Sequence, residues 1–235
     1  PASAGASAAA GADDSVFARF GEMARMRKEG VPVQYLAGKA EFCGLEILVG
    51  EGCFIPRPET EVLAQICVEL SRNAKTAVDL CTGSGCLAIT IAKNNPAIVI
   101  HAVDCSENAL RWTERNVNKH GLGGRVVPCK GDLSGPLDEK LKGRVDLIVC
   151  NPPYIPTDEI CGLQAEVRDF DPREALDGGN DGLLFYRRLA PDSAAFLGKG
   201  GFLAIEIGIR QSEAVRAIIE ETDCFGNVKV TKDFA

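Results

Sequence analysis

From residue 77 onward the chain alternates. Short β-type runs at "AVDLC" (77–81), "IVIHAVD" (98–104), "RVVPC" (125–129), "VDLIVC" (145–150), "FLAIEI" (202–207) and "NVKV" (227–230) are mostly separated by stretches with helical periodicity. Strands that alternate with helices imply an α/β fold, a doubly wound, mostly parallel sheet covered by helices on both faces. At 235 residues the chain has room for one sizeable domain with a buried core and a small appendage. No internal repeat is present.

The segment ahead of the alternation reads differently. Residues 1–12, "PASAGASAAAGA", are small and low in complexity and are expected to form a flexible lead without chemistry. A helix is expected from Asp13 or Asp14 as N-cap, with Val16, Phe20, Met23 and Met26 as its apolar stripe and Gly30 as its stop. Residues 33–55 look extended, and "LEILV" (45–49) and "CFI" (53–55) around the turn "GEG" suggest a β-hairpin. The prolines of "IPRPETEVL" then break the strand, and a helix begins near Glu59. The expected organisation is a lead over 1–12, a helix and hairpin over 13–58, and the main domain over 59–235.

"DLCTGSGCLAITIA" runs from a strand through Gly83 and Gly85 into a helix. It places a tight turn and a helix N-terminus at the carboxyl edge of the sheet, where α/β folds bind ligands. Asp104 ends the next strand, nineteen residues beyond Gly85, and is placed to accept from the two hydroxyls of a ribose. A nucleoside-containing cofactor follows. Gly83-Ser84-Gly85-Cys86-Leu87-Ala88 also satisfies the relaxed dinucleotide pattern, so a nicotinamide cofactor stays open on the loop alone. Two further acids favour S-adenosylmethionine. Asp79, two residues before the loop, would face a cationic amino group, and Asp132 in "CKGDL" would meet the exocyclic amine of an adenine.

The fourth run ends in "NPPYIP", with Asn151 and two prolines on the same carboxyl edge as the glycine loop. A planar amide nitrogen or nucleobase amine is a poor nucleophile because its lone pair is delocalised, so it has to be held and aimed. The side-chain oxygen of Asn151 can accept one of its N–H groups and the carbonyl of Pro152 the other. Pro153 stiffens the turn, and Tyr154 offers an aromatic wall for a planar substrate or a sulfonium charge. This is catalysis by positioning, with in-line methyl transfer to nitrogen.

Taken with "PVQYLAGKAEF" (32–42), "FIPRPETEVL" (54–63), "AVD" (102–104) and "GGFLAIEIG" (200–208), these motifs resemble the release-factor glutamine N5-methyltransferases of the HemK family, over about residues 20–235. The resemblance implies a class I methyltransferase, Rossmann-like fold. It implies methylation of the glutamine in the GGQ motif of class I peptide-chain release factors, with S-adenosylmethionine as donor. Carried over, the cofactor set is Asp79, Cys81, Thr82, Gly83, Ser84, Gly85, Asp104, Asp132 and Leu133 with Asn151. Asn151, Pro152, Pro153 and Tyr154 hold the glutamine. Arg57 and Glu59 lie in a family motif without an assignable role. Family members begin with a helical domain, of which only the helix near 13–29 is expected here, and continue past "KDFA" into a final strand expected to be missing.

Alternatives remain on the same residues. A glutamine methyltransferase of a ribosomal protein looks similar except around "PRPETE". A nucleic-acid adenine N6-methyltransferase would share NPPY but should add a basic face, against which stand the net charge of −7 and the pI near 5.0. A nicotinamide-dependent dehydrogenase or a non-enzymatic scaffold completes the set. The chain is expected to be a monomer whose partner is a protein, without membrane or direct nucleic-acid contact. Ten cysteines scattered singly, with two histidines, suggest buried thiols, no metal, and a reducing compartment. That compartment would be the cytoplasm of a bacterium or a mitochondrion or plastid.

Overall fold

The computed structural model describes residues 6–233. Helix α1 (Ala6–Lys28) and the short α2 (Val33–Ala37) lead into an antiparallel pair, β1 (Lys39–Phe42) and β2 (Leu45–Leu48), then α3 (Thr60–Leu70). The main sheet follows as β3 (Thr76–Leu80), α4 (Cys86–Asn94), β4 (Val99–Asp104), α5 (Glu107–Lys119), β5 (Val126–Lys130) and β6 (Val145–Cys150). After β6 come α6 (Ala165–Phe170), α7 (Leu184–Phe196), β7 (Leu197–Ile205) and α8 (Ser212–Glu220). The five strands stand in the order β5-β4-β3-β6-β7, and every neighbouring pair is parallel. No helix among the described residues is long and apolar enough to cross a membrane.

The strands are apolar on both sides because both faces are covered. Ala77, Leu147 and Val149 pack with α3, α4 and the hairpin, in one core with Phe42, Ile47, Leu63 and Ile89. Val78, Leu80, Ile148 and Cys150 alternate to the other face, against Leu189 and Phe196 of α7 and Leu133 and Leu137. Ser106 caps α5, its hydroxyl oxygen accepting from the N–H of Ala109.

Four sequence expectations need correction. The helix expected from Asp13 begins at Ala6, inside the stretch read as a flexible lead, in keeping with the high helix propensity of alanine; residues 1–5 lie outside the described residues. It ends at Lys28, and Gly30 follows at φ +94°, as the stop requires. Its stripe is left open, with Val16 and Phe20 exposed. The hairpin is not 45–49 with 53–55. It pairs Phe42 with Leu45 across a two-residue turn, Cys43-Gly44, at φ +49° and +71°. Positive φ at both central residues is the geometry that matches the twist of a hairpin, but cysteine gives no sequence signal for it. Residues 227–230 form no strand, and β7 starts at Leu197, five residues ahead of the expected run. The thiols are mixed: all ten are free, but Cys105, Cys161 and Cys224 are exposed.

One side chain ties the hairpin to the sheet. The fully buried Asn116 of α5 accepts from the Leu48 N–H (2.7 Å) and donates to the carbonyls of Leu48 and Ser84 (both 2.9 Å). Replacing it by alanine strands buried backbone groups of both the hairpin and the glycine loop. Asn116→Ala is expected to cost about 2–4 kcal/mol, read in thermal melts as a Tm lower by roughly 5–15 °C.

Candidate active site

The turn between β3 and α4 needs backbone that side chains resist. Gly83 and Gly85 sit at φ +57° and +81°, and a Cβ at Gly85 would come 3.0 Å from Cγ2 of Thr113. Cys81 is forced to φ +56°. Each turn of the loop is tied down: the Thr82 N–H donates to the Val103 carbonyl (3.0 Å), the Gly85 N–H to the Thr82 carbonyl (2.8 Å), and the Thr113 hydroxyl to the Gly83 carbonyl (2.8 Å). The loop is a preformed cradle.

Asp79 lies beneath that cradle, fully buried and not on the cavity wall where the sequence placed it. Its Oδ2 accepts from the Thr82 hydroxyl (2.6 Å) and the Ala88 N–H (3.1 Å), while Oδ1 is buried without a partner. Burial pushes its carboxyl up to about 7, against the pull of those two hydrogen bonds. It therefore acts on the cavity through the loop and Thr82.

The other expected cofactor residues, Cys81, Thr82, Gly83, Ser84, Asp104, Asp132, Leu133 and Asn151, line one cavity of about 210 Å³; Gly85 stands behind it. Asp104 is aimed by backbone: Oδ2 accepts from the Gly83 N–H and Oδ1 from the Ser106 N–H, both 2.9 Å. Each oxygen keeps a lone pair for a ligand hydroxyl. Burial raises its pKa, opposed by those same hydrogen bonds. Asp132 sits at the rim with its carboxylate paired to Arg188 (2.6 Å).

Asn151, Pro152, Pro153 and Tyr154 form the opposite wall, reached from the end of β6. The Asn151 Nδ2 donates to the hydroxyl of Thr60 (3.2 Å), and no donor among the described residues reaches its Oδ1 or the Pro152 carbonyl. Both acceptors proposed for an amide substrate are thus available. The Tyr154 carbonyl accepts from Gln211 Nε2 (2.9 Å), fixing the far end of the turn. Burial, then the nearby Glu206 carboxylate, pushes the Tyr154 phenol up to about 12.

Sequence reasoning missed the roof and the back of the site. Phe54, Pro56, Leu176 and Phe185 add an apolar lining, and residues 167–176 close over the cavity. Arg57 holds that roof through an ion pair to Asp171, whose side chain is 1% exposed, and stacks on the Phe54 ring at 4.8 Å. Glu59 is exposed at the start of α3. The buried Thr60, next to it, touches Asn151; Glu206, just past β7, lies behind the same group. Both stand in runs the sequence singles out, "PRPETE" and "FLAIEI", but neither run says which residue faces the site.

Comparison with known proteins agrees with this geometry. Residues 58–162 match the family model of the methyltransferase small domain. The release factor glutamine methyltransferase of Geobacter sulfurreducens is 42% identical over 85% of this chain and 69% of its own length, and that of Bacillus subtilis is 39% identical over 92% and 76%. Among solved structures, the fold is shared with a ribosomal protein L11 methylase from Lactobacillus delbrueckii (TM-score 0.52, 23% identity, 72% of this chain and 70% of that one). It is shared too with a SAM-dependent methyltransferase from Agrobacterium tumefaciens (TM-score 0.54, 16% identity, 78% and 57%).

The buried acid under the loop has a signature in pH. Asp79 carries a proton more readily folded than unfolded, so its contribution is complete below the unfolded pKa and is lost as pH rises through about 7. Melts of the ligand-free protein between pH 4 and pH 8 should show this loss, and Asp79→Asn should flatten it. An unchanged slope would place the effect elsewhere.

Proposed function

This chain belongs to the family of release factor glutamine methyltransferases, and from that premise we propose that it methylates the side-chain amide nitrogen of the glutamine in the GGQ motif of a class I release factor, with S-adenosylmethionine as donor. The observation that carries the reading is the pairing of two free acceptors, Asn151 Oδ1 and the Pro152 carbonyl, on the wall facing the glycine loop. Such a pair matches the two N–H groups of a primary amide.

The residues present suit the donor. Asp104 offers two oriented oxygens to ribose hydroxyls, and Asp79, buried beneath the loop, holds Thr82 and the start of α4 in the cradle that would take the amino-acid end of the donor. Asp132 and Leu133 stand at the adenine end. S-adenosylmethionine supplies an electrophilic methyl on a positively charged sulfur. Asn151 and Pro152 hold the acceptor nitrogen in line with it, and their pull on the two N–H groups raises electron density at nitrogen as it attacks. The Tyr154 ring walls the planar amide, and Val167, Pro172, Ala175 and Leu176 add apolar lining beside it.

The net charge of −7 disfavours a nucleic-acid substrate, and the adenine N6 reading has no basic face in its support. Ten free cysteines fit a reducing compartment. The chain acts as a monomer on a protein partner.

Mass spectrometry of a release factor incubated with this chain and S-adenosylmethionine is expected to show one methyl on the GGQ glutamine. An unmodified factor beside a methylated ribosomal protein or DNA would overturn the substrate. Asn151→Ala is expected to lower kcat by about 10²–10³-fold with donor affinity within a few-fold, because it removes a contact to the acceptor. Equal loss of donor binding would refute that division.

A further inference from the structure

Behind Asn151 lies a pair of polar groups, Thr60 at the edge of the cavity and Glu206 outside its lining. Glu206 directly follows β7, and its N–H donates to the Cys150 carbonyl (3.0 Å), which sets it beside Asn151 at the end of the neighbouring strand. Thr60 opens α3 and is 2% exposed. Its hydroxyl and the Asn151 amide both bear on the Glu206 carboxylate, whose Oε2 is buried without a partner.

With Glu206 ionised, the donors and acceptors of this pair and Asn151 take one order. An ionised carboxylate only accepts, so Thr60 must turn its proton to Glu206. The Thr60 oxygen is then an acceptor, and what it accepts is the Asn151 Nδ2–H at 3.2 Å. Oxygen and nitrogen of an asparagine amide are nearly isosteric, and only such partners decide which faces a substrate.

Resting on the reading of Asn151 as the acceptor-holding group, we propose that Thr60 and Glu206 are its positioning residues: the chain Asn151 to Thr60 to Glu206 prevents the amide from flipping and presents Oδ1 to the acceptor nitrogen. The negative charge at the end of the chain also polarises the amide, so Oδ1 becomes a stronger acceptor. A buried carboxylate with a bare oxygen costs stability, which packing alone does not require. The charges acting on Glu206 are acidic, from Glu59 at the start of α3 and from Asp233. Tyr154, Tyr186 of α7 and Cys86 of α4 face it as neutral groups. Burial, then those acids, raise its pKa, while Thr60 and Asn151 oppose the rise.

The test compares Thr60→Val, Thr60→Ser, Glu206→Gln and Asn151→Ala in methylation of a release factor, with donor affinity, melts and pH–rate profiles. Thr60→Val and Glu206→Gln should lower kcat by about 10–100-fold with donor affinity within a few-fold, and Thr60→Ser should restore most of it. The wild-type rate should fall on the acid side at a pH above the ordinary carboxylate range, and Glu206→Gln should lose that limb while melting no lower. Wild-type kcat in Thr60→Val and Glu206→Gln beside an inactive Asn151→Ala overturns this inference alone. A kcat loss that tracks a lower Tm, with the pH profile unmoved, makes the pair merely structural and overturns it too. An active Asn151→Ala overturns the reading of the site, and the inference with it.

Discussion

The order β5-β4-β3-β6-β7 forces the chain to reverse its direction of growth across the sheet at β3. Right-handed crossovers then send the connections of the first half to one face and those of the second half to the other. Accordingly α4 and Val117 of α5 pack with the β1–β2 hairpin, whereas α7 packs on the opposite face. The segments leaving β3 and β6 therefore diverge, although Leu80 and Cys150 are paired neighbours. A crevice between adjacent strand ends is the unavoidable result, and it lies between the glycine loop and Asn151.

Three buried acids stand around that crevice, Asp104 on its wall, Asp79 beneath the glycine loop and Glu206 behind Asn151. Asp79, Asp104 and Glu206 are each raised by burial, and each is countered by donors drawn from a different element: α4 and Thr82, the glycine loop and Ser106, α3 and Asn151. Where such an acid is ionised, the low dielectric around it makes a nearby cation worth more than on the surface. The same acids cost stability in the empty protein, which is the exchange expected of a site built for a positively charged donor.

The parts legible in sequence were those whose signal is local. Continuous apolar runs gave four strands of the sheet to within a residue or so, and the glycine spacing and the NPPY turn marked both walls of the cavity. The hairpin register was illegible because Cys43 takes a conformation its side chain does not advertise. Residues 227–230 alternate like a strand but pair with none among the described residues, and pairing rather than propensity decides a strand. Asp79 precedes the loop, and position alone suggests that it faces the cavity. In a strand, successive side chains point to opposite faces, and its side chain points under α4 instead. Glu206 and Thr60 were beyond reach, since their meeting depends on the β6–β7 register and on where α3 begins.

Those two positions also explain why the stretch 56–60 is so constrained. Pro56 and Arg57 line the cavity, Arg57 anchors the roof through Asp171, and Thr60 reaches Asn151 within one further turn of chain. The Tyr35 hydroxyl, near the Cys53 carbonyl (2.7 Å) and the Phe170 carbonyl (3.3 Å), ties the start of this stretch to the same roof. The prolines restrict the backbone, so Arg57 and Thr60 cannot move independently. Roof and acceptor wall are thus both anchored on the five residues 56–60. The ion pair to Asp171 and the hydrogen bond to Asn151 leave the chain three residues apart, at Arg57 and Thr60.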